Sequence, residues 1–225
     1  MSLKIKSWKK YRSKIIVGTI LLILGIIILR LLIWEHNYYT GMEGRERAAA
    51  INNAPTVDET AITDTQKAEY IVPADHPRYL TIDKLGIKNA RILAVGVNAA
   101  GQMDTPMNIF DVGWYTGSDK PGQKGTTIID GHNGGPNIEG VFKHTPNLQA
   151  GDIIKIEMGD SKIYQYKVVD NVAVSLDNAD EKMRYAATSP EVGKESVTLI
   201  TCTGEWSQIQ QTYLSRQFTR AVRIE

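Results

Sequence analysis

Residues 152–168 read DIIKIEMGDSKIYQYKV. Ile154, Ile156 and Met158 alternate with Lys155 and Glu157. Gly159, Asp160 and Ser161 then supply turn chemistry, and Tyr164, Tyr166 and Val168 resume the alternation. A period of two on both sides of a short turn is the pattern of a β-hairpin with one buried face. Similar short runs flank it: YLTIDKLGI, ARILAVGV, TTIIDGH, NVAVS, VTLITC and FTRAVRIE, all after residue 76. Seven or eight strands in about 150 residues, without long helical periods between them, predict an antiparallel barrel or sandwich. The best helical stretch in this region is 178–188, NADEKMRYAAT.

The N-terminal part is built differently. Residues 15–34 form an apolar run broken only by Arg30, and twenty helical residues rise about 30 Å, enough to cross a bilayer core. Arg30 lies near the end of the run, where a long side chain can snorkel to the headgroups. Six basic residues and no acidic ones precede the run, which predicts a cytoplasmic N-terminus (1–14), a transmembrane anchor (15–34) and an external remainder. No small-residue cleavage pattern follows it directly, so the segment reads as an uncleaved anchor. Residues 35–75 are polar without sustained periodicity and read as a stalk, and 76–225 read as a separate domain that holds the strands. The whole chain carries a net charge of +1. All seven basic residues before position 35 belong to the anchor region, leaving 19 basic against 25 acidic residues beyond it. Such an acidic domain is a poor partner for nucleic acid.

Cys202 is the only cysteine of the chain, at the end of the β-branched run TLITC. Outside the cell an unpaired thiol is either buried as a small hydrophobe or used as a nucleophile, and the second role requires a base and an oxyanion donor. Of four histidines, His132 is the candidate base. It directly follows the apolar strand TTIID in IIDGHNGGPN, whereas His36, His76 and His144 lie in the stalk, at the domain entrance and in a polar turn. Arg216 and Arg220 share one face of the last strand, SRQFTRAVRIE. The acidic residues are scattered, with no cluster at ligand spacing, so neither a metal nor a cofactor is expected.

Together these motifs resemble the sortases, extracellular Cys–His–Arg transpeptidases. TLITC is similar to the family's TLxTC strand, IIDGH to its Gly-His strand with Asp130 where Ala or Ser is more usual, and RQFTRAVRI to its final strand with Thr219 where valine is common. The opening YLTIDKLGIKNARILAVGVNAAGQMDTP, the segment VGWYTGSDKPGQKG and VFKHTPNLQAGDIIKI extend the resemblance over about residues 77–225 and lean toward a class F-like or class D-like branch. The resemblance implies an all-β, sortase-type eight-stranded β-barrel with short helices, in which Cys202 and Arg216 end adjacent strands and His132 faces Cys202 across a groove walled by residues 175–195. It further implies a thioester acyl-enzyme on Cys202, an LPxTG-like sorting signal cut between Thr and Gly, and transfer to an amine of a cell-wall peptide or pilin. With ordinary pKa values of about 6.5 and 8.5 the thiolate–imidazolium pair is about a hundredfold rarer than the neutral pair, so a minority active form is expected. Two other readings fit a lone external cysteine. An L,D-transpeptidase would carry small residues and glycine immediately before the cysteine, where this chain has TLIT, and a non-catalytic β-barrel binding module would not need all three groups.

Overall fold

The computed structural model describes residues 21–33, 57–98, 101–177 and 179–224. Residues 21–33 are helical and make up the described part of the expected 15–34 span; the rest of that span lies outside the described residues. Among the described residues no helix is long and apolar enough to cross a membrane.

Eight strands close into a barrel: β1 (Pro77–Ile82), β2 (Ile87–Val95), β3 (Val112–Tyr115), β4 (Thr126–Gly131), β5 (Ile153–Met158), β6 (Ile163–Ser175), β7 (Ser196–Ser207) and β8 (Thr212–Arg223). Their order around the barrel is β1-β2-β3-β4-β7-β8-β6-β5, with β5 pairing back onto β1. Two short helices, α1 (Asp64–Ala68) and α2 (Ala179–Ala187), flank it. The expected hairpin is β5–β6, with Ile154 opposite Tyr166 and Ile156 opposite Tyr164, all four buried.

The strands are not uniformly antiparallel, as their alternation suggests. β2 pairs with β3, and β4 with β7, in parallel. Alternation reports which face is buried, not which neighbour a strand chooses, so it cannot distinguish the two. The second parallel pair has a sequence consequence. All six residues of β4 are buried, because Ile129 and Gly131 face the core while the outer face is also covered. A strand covered on both faces loses alternation and reads as a continuous run. α2 supplies part of that cover: Thr198 Oγ1 donates to Ala186 O at 2.8 Å, and the Tyr185 ring packs edge-on against Phe218. Arg220 lies over the Tyr185 ring at 3.6 Å and pairs bidentately with Asp170.

One irregularity in β6 sets the faces of everything after it. Val168 pairs with Ala221 but Asp170 pairs with Arg220, so Val169 is an extra residue that reverses the in–out parity. Asp170 therefore faces outward to its arginine, and Asn171 turns inward. Its Nδ2 donates to Thr145 O and Leu148 O at 2.9 and 2.8 Å, while its Oδ1 accepts from Gln217 Nε2 and Thr219 Oγ1 at 2.6 and 2.7 Å. Thr219 is fully buried, and this bond explains how a hydroxyl is accommodated where an aliphatic side chain would otherwise pack. Replacing Asn171 by Ala orphans two buried donors and frees the 145–148 turn. The expected loss is about 3 kcal/mol, read as a lower urea midpoint at unchanged m-value.

Candidate active site

The outward faces of β4, β7 and β8 are in register. Asp130 is opposite Ile200, Ile200 is opposite Phe218, and Phe218 is opposite Val172 on β6. One step further along the strands, Cys202 is opposite Arg216, and Arg216 is opposite Val174. The two are on adjacent strands as expected but do not end them, because β7 runs on to Ser207 and β8 begins at Thr212. His132 lies two residues past Asp130, just beyond the end of β4, and therefore continues toward the row of Cys202 and Arg216. Two cross-links hold the end of β4 to β7. Thr201 Oγ1 donates to Gly131 O at 2.7 Å, and Asn133 Nδ2 donates to Cys202 O at 2.9 Å. Gly131 is required by packing: a Cβ there would approach the Phe142 ring to 2.6 Å.

Each of the three candidate side chains has a distinct environment. His132 Nε2 lies 2.7 Å from Pro106 O. A carbonyl only accepts, so Nε2 carries the hydrogen, and in the neutral ring Nδ1 is the free base. Arg216 Nη1 donates to Tyr213 O and Ser215 O at 2.8 and 3.0 Å, and Nη2 donates to Thr212 Oγ1 at 3.1 Å. Of five guanidinium donors, Nε–H and one Nη2 hydrogen have no protein acceptor among the described residues, which leaves a fixed cation with donors to spare. Cys202 is partly buried and unpaired. Burial pushes its thiol pKa up, the Arg216 charge pulls it down, and the carboxyl of Asp130 pushes it up again. The balance favours the thiol over the thiolate at rest.

Asp130 was visible in the sequence only as an acid where a small residue is more usual. It is 7% exposed, and its Oδ1 has no hydrogen-bond partner. Burial raises its pKa to about 7 against the opposing pull of the Thr105 side chain. Pro106, Asn133 and Thr105 carried no signal in the sequence, because their contribution is a backbone carbonyl or a local contact created by the fold.

Residues 57–75, part of the stretch expected to be stalk, run along the barrel. Asp58 N donates to Met107 O, and Ile109 N donates to Asp58 O. Glu59 accepts from Asn137 N, Asn137 Nδ2 and Ile138 N in the loop after His132. The loop is thereby tethered from the N-terminal side. Among the described residues there is no group of His, Cys, Asp or Glu side chains arranged to hold a metal ion.

The model of the sortase domain family matches residues 80–224. No curated protein matches the sequence significantly. Among solved structures, sortase C-1 of Actinomyces oris is 23% identical, with 82% of this chain and 99% of that one covered and a TM-score of 0.50. Sortase C1 of Streptococcus agalactiae is 21% identical over 84% of this chain and 91% of that one, with a TM-score of 0.49. A Clostridium perfringens sortase D5 transpeptidase is 22% identical over 73% and 90%, with a TM-score of 0.47. At 23% identity the Actinomyces oris structure speaks to fold alone.

The raised carboxyl gives a stability signature. The unfolded state releases the Asp130 proton near pH 4, whereas the folded state holds it to about pH 7. Its contribution to stability is full below pH 4 and is lost as the pH rises to about 7. Asp130→Asn removes this slope. The difference in unfolding free energy between the two proteins should change by a few kcal/mol from pH 4 to pH 7 in favour of the asparagine form, measured by urea titration at each pH.

Proposed function

Because the chain belongs to the sortase family of cysteine transpeptidases, we propose that Cys202, His132 and Arg216 are its catalytic residues, acting on an LPxTG-like sorting signal. The observation that carries this reading is the shared row: Cys202 and Arg216 are direct partners on β7 and β8, and His132 extends β4 toward the same level. In the first half-reaction Cys202 Sγ attacks the carbonyl carbon of the Thr–Gly peptide bond. The two spare N–H donors of Arg216 receive the developing oxyanion, a type of contact worth roughly 10²–10³ in rate. His132, protonated on Nδ1, gives that proton to the departing glycine nitrogen as the C–N bond breaks, leaving a thioester on Sγ. An amine then attacks the thioester carbonyl, His132 Nδ1 takes its proton, and the C–S bond breaks to return the thiolate. Pro106 O keeps hold of Nε2–H throughout, so the ring shuttles the proton without turning.

The acceptor is an amine of a cell-wall peptide precursor or of a pilin subunit. Membrane anchoring belongs to the same reading. The described helical residues 21–33 expose leucine and isoleucine on every side, from Leu24 at 48% to Leu22 at 65%, as a lipid-facing segment does. Six basic residues before the apolar run place the N-terminus in the cytoplasm and the barrel outside, where substrate and acceptor are themselves confined to the surface layer.

The test is turnover of LPxTG-like peptides by the full chain in detergent, with hydroxylamine or an oligoglycine as the amine. Amine-dependent product, with a peptide thioester on Cys202 visible by intact mass, is the expected result. Cys202→Ala should abolish turnover, and His132→Ala and Arg216→Ala should each lower kcat/KM by roughly 10²-fold or more. Turnover surviving in Cys202→Ala would contradict the assignment.

A further inference from the structure

Asp130 stands outside the three groups assigned to the reaction, yet it occupies the outer face of β4 directly behind them. Its Cα partners are Gly113 on β3 and Ile200 on β7, two residues before Cys202. The space for its carboxyl exists because residue 113 has no side chain: a Cβ on Gly113 would lie 2.4 Å from Asp130 Oδ1, 3.0 Å from Pro106 Cδ and 3.1 Å from Val95 Cγ1. The carboxyl is thus wedged between the β3 backbone and the Thr105–Pro106 segment, the same segment whose carbonyl holds His132 Nε2. An isolated buried carboxyl is costly when ionised, and in a purely structural site an apolar or small residue would serve. Here the carboxyl is next to the nucleophile's strand and acts electrostatically on Cys202.

We propose that Asp130 is a positioning residue of the transpeptidase that acts through Cys202, its carboxylate holding the nucleophile in the neutral thiol form and its protonation releasing that restraint. This rests on Cys202 being the nucleophile. Asp104 on the neighbouring segment raises the Asp130 pKa, His132 follows on β4, Cys202 lies on β7, and Arg216 on β8 opposes Asp130 at the thiol. From β2 and β3, Val95 Cγ1 and the Gly113 backbone border the space of the carboxyl, and neither residue is titratable. The Asp130 proton leaves near neutral pH, so the charge facing the thiol changes over that range. Mild acid neutralises Asp130 and lowers the thiol's pKa, while above neutrality the carboxylate raises it. An unpaired thiol outside the cell is thereby kept in its less oxidisable form, because the thiolate is the reactive species.

The experiment is the pH dependence of Cys202 alkylation by iodoacetamide in the full chain, which needs no peptide substrate and so reads the coupling even if the substrate assignment fails. Asp130→Asn keeps the shape and removes the charge. The ratio of its alkylation rate to that of the unchanged protein is expected near 1 at about pH 5.5, where Asp130 is protonated, and at roughly threefold or more at about pH 8. Thr105→Val, at an exposed position, removes a nearby hydroxyl that favours the carboxylate, so it should raise alkylation at pH 7 and decides the matter should Asp130→Asn not fold. A ratio that stays constant with pH, or a Thr105→Val profile superimposable on that of the unchanged protein if it alone folds, would overturn the proposal.

Discussion

The parallel pairing of β4 with β7 is the constraint on which the site depends. Antiparallel β7–β8 pairing alone brings Cys202 beside Arg216. His132 reaches their level only because β4 runs alongside β7 in the same direction, so that the C-terminal end of β4 arrives beside the middle of β7, where Cys202 lies. Thr201 and Asn133 then tie the two strand ends together through the Gly131 and Cys202 carbonyls. A one-residue slip of either strand would turn the side chains of that strand to the opposite face of the sheet.

Much of the barrel was legible in the sequence, for a definite reason. β5 and the first half of β6 have one face in the core, and that asymmetry writes itself as alternation in Ile154, Ile156, Tyr164 and Tyr166. Where both faces are covered, as in β4, or where the extra residue Val169 reverses parity, alternation is lost or misleads. Strand direction leaves no mark in composition, which is why the two parallel pairs were not foreseen. The candidate site was legible as residue types: a lone thiol after a β-branched run, a histidine after a glycine, an arginine on the last strand, although Cys202 and Arg216 lie within their strands rather than at the ends. Its supporting contacts were not, since Pro106 O, Asn133 Nδ2 and the Glu59 tether become neighbours of the site only through folding.

The electrostatics of the rim are a balance rather than a simple activation. Arg216 favours the thiolate, while burial and Asp130 oppose it. The arginine is fixed by two carbonyls and a hydroxyl, so its position costs no reorganisation when negative charge develops on a bound carbonyl. The histidine's tautomer is set in advance by Pro106 O. Under the proposed roles, a fixed Arg216, a His132 tautomer set in advance and a Cys202 held as the thiol would suit an acyl transfer in which the thioester waits for an amine.

The most direct measurement is a crystal structure of the protein carrying a substrate-like peptide whose scissile carbonyl has been trapped as a tetrahedral adduct. The account predicts a covalent bond to Cys202 Sγ, the adduct oxygen within hydrogen-bond distance of Arg216 Nε or Nη2, and His132 Nδ1 facing the leaving-group side. An adduct oxygen held by groups other than Arg216, or a His132 ring turned away from the adduct, would contradict it.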